Sequence, residues 1–385
     1  MKYHDPHKKN GTITTQVMCA VVFAAFSMAW LYWFQADVLA VGQHTLSNGM
    51  TNYDRTVGAV VITLVLMLIQ QLVALVTRLR RRTHALTYLP SMLVLAIISD
   101  ICPTVGSHFN MGSWWWIAPA VLLVWAVAVW LARQIMPFDL DKQPTGLFSR
   151  RVWLNMLQMA AMMLAVAAIG NSNAVFHFRA HAETALQEGN LDEALRVGQK
   201  SHETDCHLTM LRAFALSQKG ELGERLFEYP IVGKGSDLLP LNGTRSRTLI
   251  IDRDSIYHHL GARPVGINHT PRYLELLEKD SLATPAVADY RLCGMLIDRD
   301  IDRFARTLSY YYKVNDSLPR HYREALTLYV HKRAHPVIIY HNTVMDEDWA
   351  DLQRLQEEHP TYSERKGKVA SRYEGSYWYY YFYEK

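Results

Sequence analysis

Glutamate is absent from the first 170 residues of this 385-residue chain. That part has six aspartates against twelve lysines and arginines, whereas residues 171–385 have 30 acidic and 28 basic side chains. The net charges of the two parts, +6 and −2, add to the +4 of the whole chain. So few acidic groups indicate that the first part is not an ordinary soluble domain. The second part lacks a basic cluster, which excludes a nucleic-acid-binding surface.

Cysteine is scarce, and the common motifs of metal and nucleotide sites are missing. The chain has four cysteines and no HExxH, CxxC or phosphate-loop motif. His331 and His335 are four residues apart, but Pro336 would end a helix directly after them. We therefore predict no metal site, no cofactor and no catalytic residue. Cys206 and Cys293 either form a disulfide or remain two separate buried thiols.

Long apolar runs dominate the first part instead. A helix needs about 20 apolar residues to cross about 30 Å of hydrocarbon, and five segments approach that length. We predict an all-α fold, with a transmembrane domain of about five helices in residues 1–170 and an extracytoplasmic helical-repeat domain in residues 171–385. The third segment is short and contains Pro90, so a buried soluble helix is its alternative. The segments are residues 13–34, 56–76, 85–103, 114–136 and 152–170.

Basic residues predict the orientation, because positively charged loops stay in the cytoplasm. Eleven of the twelve basic residues of the first part lie on one predicted side: ten are before the first segment, between the second and third, or between the fourth and fifth, and Arg133 is at the end of the fourth. Only Arg55 lies on the other side. With five crossings, the N-terminus is cytoplasmic and residues 171–385 are outside. In a diderm bacterium, this places a multi-pass protein in the inner membrane with a periplasmic domain.

Two features of the membrane segments are candidate functional groups. Trp114, Trp115 and Trp116 begin the fourth segment, where tryptophans typically form an interfacial belt. Asp100, near the outer end of the third segment, is a possible functional group inside the membrane, because charged side chains are costly there. Its alternative is an interfacial position in contact with water.

The second part contains a recurring helical-hairpin pattern. The stretches ALQEGNLDEAL, ALSQKGELGERL and LIDRDIDRFARTL each predict one helix, a turn and a second helix. Gly189 and Gly220 suit a left-handed C-cap, and Asn190 or Asp300 can cap the next helix. Leu191, Leu222 and Ile301 are predicted to start its buried face.

The first two stretches resemble the tetratricopeptide repeat, which implies stacked helix pairs with a concave binding surface. The resemblance covers residues 174–227 and, more loosely, residues 271–358. The chain as a whole also resembles uncharacterised multi-pass proteins of Bacteroides-type bacteria. The segments FEYPIVGKGSDLLP, SIYHHLG and YWYYYFY carry that similarity, which implies no particular activity.

Clustered aromatic residues predict a partner-binding surface. The C-terminal run YWYYYFY must dock on something, because in water it would form a large exposed apolar patch. It either packs on the outer domain or the bilayer interface, or it binds a partner. A second cluster lies in a predicted helix, where at least one ring must face outward. The predicted partner-binding residues are Tyr310, Tyr311, Tyr312, Tyr377, Trp378, Tyr380 and Phe382.

These observations predict a membrane-anchored periplasmic adaptor that binds a protein or peptide through its helical repeats. Helical-repeat domains usually bind other proteins, and no convergent set of polar residues in the sequence indicates an active site. Two alternatives remain: a component of a transport system, and an envelope enzyme that acts at the outer face of the membrane.

Overall fold

The computed structural model describes residues 6–79, 81–100, 112–135 and 149–384, and these ranges contain helices and loops but no strand. The chain divides into two compact units, Met1–Asn173 and Ala174–Lys385. We call them the first and the second unit. The all-α prediction is confirmed.

The first unit contains six α-helices in its described ranges. A short π-helix, Trp30–Phe34, continues the first of them, and a 3-10 helix, Arg81–Tyr88, precedes the fourth. The α-helices are α1 (Pro6–Ala29), α2 (Ala36–Leu46), α3 (Arg55–Thr77), α4 (Leu89–Ser99), α5 (Trp114–Ile135) and α6 (Arg150–Ile169).

Four helical stretches are long and apolar enough to cross a membrane, which is consistent with a membrane protein. They coincide with the first, second, fourth and fifth predicted segments. The prediction of five spanning helices is not confirmed, because α4 has only 11 residues. The four stretches are Ile13–Phe34, Arg55–Thr77, Trp114–Gln134 and Arg150–Ile169.

Pro90 explains why the third segment is not one continuous α-helix. Proline lacks an N–H group, and its ring collides with the carbonyl group four residues earlier, so an α-helix can begin at proline but rarely runs through it. The chain accordingly forms a 3-10 helix up to Tyr88 and starts α4 at Leu89, with Pro90 in the first turn.

Polar side chains fasten the third segment to its neighbours. Gln70 Nε2 donates to Thr87 Oγ1 at 3.1 Å, and the Ser91 hydroxyl donates to the Leu66 carbonyl oxygen at 2.8 Å. Such hydrogen bonds between helices satisfy polar groups that hydrocarbon could not. Ser91 and Thr87 are fully buried, so the segment lies in the interior of the first unit.

The second unit contains twelve α-helices in its described residues, connected by short loops and two 3-10 helices, Leu226–Glu228 and Gly235–Leu238. One large apolar core joins most of these helices. The α-helices are α7 (Ala174–Gln187), α8 (Leu191–Arg196), α9 (Cys206–Lys219), α10 (Leu222–Arg225), α11 (Arg253–Leu260), α12 (Thr270–Lys279), α13 (Ala286–Ile297), α14 (Ile301–Tyr311), α15 (Arg320–Lys332), α16 (Thr343–Glu358), α17 (Tyr362–Tyr373) and α18 (Tyr377–Tyr383).

The three predicted helical hairpins form where the sequence placed them. Gly189 and Gly220 have φ angles of +76° and +69°, as a left-handed C-cap requires. Asn190 and Asp300 cap the next helix, because each side chain accepts a hydrogen bond from the N–H three residues further on. The third hairpin lacks the glycine, and Arg299 takes the left-handed position with a φ of +57°.

The structure does not support a tetratricopeptide array. Each tetratricopeptide repeat is a helix pair of 34 residues, whereas α8 has six residues and α10 has four. The hairpin turns were predictable because caps and turns depend on local sequence. The sequence did not show how short the second helix of each pair is. α8 ends at Val197, whose backbone is extended, and α10 continues as the 3-10 helix that begins at Leu226.

Candidate functional site

The C-terminal aromatic run packs inside the second unit. Tyr377, Trp378 and Tyr380 are at most 7% exposed, and Phe382 is half-buried. The Phe227 ring lies 5.0 Å from the ring of Tyr377 and 4.9 Å from that of Tyr380. The three buried rings are part of the apolar core of the second unit. Packing on the domain, one of the two alternatives, therefore describes this helix.

A buried carboxylate holds α18 in place. Glu324 is 2% exposed and accepts hydrogen bonds from Arg320 Nε at 2.8 Å and from the Tyr377 N–H at 2.7 Å. The third donor is His321 Nδ1, at 2.9 Å. His321 Nε2 lies 3.3 Å from the Phe227 nitrogen, whose N–H points at it, and Nδ1 is the nitrogen that faces Glu324. Glu324 therefore connects α15 and α18.

The three donors control the charge of Glu324. Burial alone would raise the pKa of this carboxyl, but the neighbouring His321, Arg320 and Tyr377 N–H lower it by more. The net result is a pKa below the ordinary value of 4.5. Glu324 is thus ionised at neutral pH, although it is buried.

The other predicted aromatic cluster is divided between the surface and the interior. Tyr310 is 79% exposed. The Tyr311 hydroxyl donates to Glu278 and accepts a hydrogen bond from Arg291 Nη1 at 2.8 Å. Arg291 also pairs with Glu278. Tyr310 is therefore the most exposed of the three rings, since Tyr311 and Tyr312 are half-buried.

Tyr312 belongs to a half-buried polar cluster around Asp289. The hydroxyls of Tyr312 and Tyr322 both donate to Asp289 Oδ1, each at 2.8 Å. Burial raises the pKa of Asp289, and the two hydrogen bonds offset only part of that rise. Cys293 Sγ lies 3.5 Å from the Tyr322 hydroxyl, and burial raises its pKa. Such a protonated thiol is a poor nucleophile.

A groove along α13 is the candidate binding site. α12 and α14 form its sides, and it contains a cavity of about 50 Å³, which would hold a water molecule or the tip of a small side chain. Both apolar and charged side chains line the groove. The lining residues are Gly235, Thr270, Pro271, Leu274, Glu275, Tyr290, Arg291, Gly294, Met295, Asp298 and Arg303.

Two glycines give the groove its closed end. A Cβ atom on Gly235 would lie 2.3 Å from the Gly294 carbonyl oxygen, so only glycine permits this close approach. The Gly235 N–H donates to Asp298 Oδ1 at 2.9 Å. The 3-10 helix that starts at Gly235 is thereby fixed against α13.

Tyr290 gives the cavity an unused polar group. Its side chain is 1% exposed, and its hydroxyl has no hydrogen-bond partner among the residues that the structure describes. Burial raises its pKa, so the hydroxyl keeps its proton. A buried hydroxyl without a partner costs about 1–3 kcal/mol, and a ligand group or water that reached it would recover that cost.

Loosely paired charges border the cavity. Glu275 lies 3.8 Å from an Arg291 nitrogen and 3.5 Å from Arg303 Nη2. The Arg303 side chain is 49% exposed. Tyr310 lies seven residues after Arg303, which is about two helical turns, so both residues project from the same face of α14. An incoming partner would thus meet a tyrosine and an arginine on one side of the groove.

The sequence did not indicate this groove. Its charged pairs join residues of different helices, such as Glu278 of α12 with Arg291 of α13. Only the stacking of those helices brings them together. The one available signal was the pair Glu275 and Glu278, which lie on one face of a short helix, and surface helices commonly carry such pairs.

Asp100 and the tryptophans lie together at the end of the third segment. Trp114 Nε1 donates to Asp100 Oδ2 at 2.8 Å, and Asp100 is exposed. Trp114 is buried, whereas Trp115 and Trp116 are 68% and 84% exposed. The interfacial-belt prediction therefore concerns Trp115 and Trp116, and Trp114 instead positions the Asp100 carboxylate.

Cys206 and Cys293 are free and buried, so the two thiols are separate. His331 packs its ring on Trp349 at 5.3 Å and contacts the Thr327 carbonyl oxygen through Nδ1. Within the described ranges, no three His, Cys, Asp or Glu side chains are placed to bind a metal ion together.

Residues 267–384 match a sequence family that is described as a family of unknown function, DUF6057. The match covers under a third of the chain and includes all of α12–α18. Every lining residue of the groove except Gly235 falls within it. No curated protein and no solved structure matches the chain.

Proposed function

We propose that the chain is a membrane-anchored adaptor that binds a protein or peptide partner along the groove over α13. The observation that carries the proposal is the groove itself. It combines apolar side chains, the buried Tyr290 and the exposed side chain of Arg303. Tyr310, which is also exposed, lies about two turns further along α14. Tyrosine and arginine are enriched at the centres of protein interfaces.

The helical hairpins support the same class of function. Helix pairs that stack side by side present extended surfaces, and repeat proteins use such surfaces to bind other proteins. In this proposal, α12, α13 and α14 act as a short solenoid-like scaffold. The buried helix α18 stiffens the scaffold from behind, because Arg299, in the turn before α14, donates to the Tyr380 and Glu384 carbonyl oxygens.

The number of membrane crossings determines on which side of the membrane the second unit lies. Four crossings would leave the second unit on the N-terminal side, and five would place it on the opposite side. A 3-10 helix rises about 2.0 Å per residue and an α-helix about 1.5 Å. The eight residues of Arg81–Tyr88 and the eleven of α4 therefore extend for about 32 Å, enough to cross about 30 Å of hydrocarbon.

Contacts at both ends of this segment favour a crossing. The Ala85 N–H donates to Asn155 Oδ1 at 2.8 Å, near the start of α6. The Asn171 N–H, beyond the end of α6, donates to the Ser99 carbonyl oxygen at 2.9 Å. The segment thus runs alongside α6 over nearly its whole length. These contacts support the proposal that the second unit lies outside the cytoplasm, which is the periplasm in a diderm bacterium.

Photocrosslinking tests the adaptor proposal. With benzoylphenylalanine in place of Tyr310, the full chain in its native membrane is expected to crosslink to a discrete protein. The matched control is the same substitution at Tyr362, which is also exposed, at 55%, but lies on α17. Equal products from both positions, or none from Tyr310, would contradict a partner at this groove.

The variant Tyr290→Phe separates binding from folding. It removes a hydroxyl that has no partner in the described structure, so the free energy of unfolding should stay the same or rise by about 1 kcal/mol. The yield of the Tyr310 crosslink should fall about fivefold, the equivalent of one lost hydrogen bond. A less stable protein with an unchanged crosslink would show that Tyr290 serves only folding.

A transport role is a second candidate, and the interior of the first unit favours it. Gln70 Oε1 and His84 Nδ1 are buried and have no hydrogen-bond partner in the described ranges. Unused polar groups inside a membrane bundle often mark a path for a solute. Substituting Gln70→Leu should abolish a flux if the unit transports, and should leave the Tyr310 crosslink unchanged if it only anchors.

A further inference from the structure

One loop of the second unit displays aliphatic side chains to the surroundings. We call residues 333–344, between α15 and the first turn of α16, the aliphatic loop. Val337, Ile339 and Val344 are 73%, 68% and 61% exposed. Single exposed aliphatic residues are ordinary on soluble domains, but a group of three within eight residues marks an interaction surface.

The fold holds this loop in place. The Val337 N–H donates to the Tyr329 hydroxyl at 3.1 Å. Tyr340 is 5% exposed, and its hydroxyl donates to Asp316 Oδ1 at 3.1 Å. Ile338 packs on the core between the two exposed residues. Ile338 and Tyr340 therefore anchor the loop, and Val337 and Ile339, which alternate with them, point outward.

The charges around the loop suit a lipid headgroup region. Residues 331–341 contain Lys332, Arg333 and three histidines, and no carboxylate. Neighbouring elements supply three carboxylates: Arg333 pairs with Asp302 of α14, His341 lies 3.5 Å from Asp346 of α16, and Asp316 accepts the Tyr340 hydroxyl. Lys332 contacts the Tyr381 hydroxyl at 3.2 Å and pairs with no carboxylate among the residues that the structure describes. Aliphatic residues flanked by basic side chains are typical of segments that lie in a bilayer interface.

We propose that the aliphatic loop inserts into the headgroup region of a lipid bilayer. Val337 and Ile339 would enter the acyl boundary, and Lys332 would face lipid phosphate groups. A membrane is within reach because the same chain carries four helices of spanning length. The tether makes the contact intramolecular, so a weak insertion suffices to hold the second unit at the membrane. This contact is independent of the groove and of its partner.

Spin labelling of the full chain tests the insertion. The chain is placed in nanodiscs of phosphatidylcholine and phosphatidylglycerol, with a nitroxide on Val337→Cys or Ile339→Cys. Label on the unsubstituted chain is subtracted as background. Oxygen concentrates among acyl chains and a polar nickel chelate is excluded from them, so the oxygen-to-nickel accessibility ratio at both positions should be about fivefold higher than in water. Tyr362→Cys, exposed on α17, is the control and should give the ratio of water.

Each other result would overturn the proposal. A ratio like that of Tyr362→Cys would mean that the loop faces water. A label that neither reagent reaches would mean that a protein or a second copy of the chain covers the loop. Hydrogen exchange of the unmodified chain provides a check without substitutions: amides 335–345 should exchange about fivefold faster when amphipol replaces the nanodisc, because amphipol offers no bilayer surface. Equal exchange would contradict insertion.

Discussion

Replacing Trp378 by alanine is expected to lower the free energy of unfolding of the second unit by about 3–5 kcal/mol. Trp378 is 2% exposed, and its ring lies 5.6 Å from that of Trp349 and 5.9 Å from that of Tyr373. Its Nε1 donates to the Glu324 carbonyl oxygen at 2.7 Å. Alanine leaves a large cavity and an unpaired carbonyl group at the point where α15, α16, α17 and α18 meet.

Hydrogen exchange of the α15 amides in the full chain measures this loss. Tyr310→Ala is the control, because Tyr310 is 79% exposed and its removal should cost at most about 0.5 kcal/mol. If both variants lost the same stability, α18 would not be the structural element described here, and its rings would again be candidates for binding a partner.

Substituting Glu324→Gln is expected to cost about 3 kcal/mol at pH 7. The amide cannot accept hydrogen bonds at both of its ends, so at least one donor among Arg320, His321 and the Tyr377 N–H loses its acceptor. Glu357→Gln makes the same chemical change on an exposed side chain and should cost at most about 0.5 kcal/mol.

The pH dependence provides an independent check on Glu324. The folded state lowers the pKa of this carboxyl below 4.5, so its ionised form stabilises the protein at any pH above about that value. The contribution is lost as the pH falls below 4.5 and through the lower pKa of the folded state. The difference between the natural chain and Glu324→Gln should therefore shrink in acid. A difference that stayed constant from pH 7 to pH 3 would mean that Glu324 is not ionised when buried.

Local signals in the sequence predicted the parts of the fold that depend on local chemistry. The apolar runs predicted the four helices that are long and apolar enough to cross a membrane, because hydrocarbon thickness sets the length that such a helix needs. Gly189 and Gly220 marked two turns because few other residues adopt their backbone angles. The third segment differed from the predicted single helix, because Pro90 determines where its α-helix begins.

Longer-range features could not be predicted in this way. The run YWYYYFY is aromatic at every position, so it has no periodicity that would distinguish a buried face from an exposed one. Its burial depends on Phe227 and Glu324, which lie 150 and 53 residues before Tyr377. The groove is equally non-local, because Tyr290 acquires its significance only when α12 and α14 pack beside α13.

The groove and the aliphatic loop are separate regions of the second unit, and each has its own proposed binding role. The groove lies on α12–α14 and is proposed to bind a protein. The loop lies between α15 and α16 and is proposed to contact lipid. Both fall within residues 267–384, the segment that matches a sequence family. A domain that is held on a bilayer while its groove stays open would suit recruitment of a partner to the membrane surface.

The periplasmic location of the second unit depends on the third segment crossing the membrane, and a reporter fused after Lys385 tests this most directly. In a bacterial host, alkaline phosphatase at that position should be active and green fluorescent protein should be dark, because the second unit is then outside the cytoplasm. Fusions after Arg82 should give the opposite pair of signals. Fluorescence without phosphatase activity after Lys385 would contradict the fifth crossing and the periplasmic adaptor.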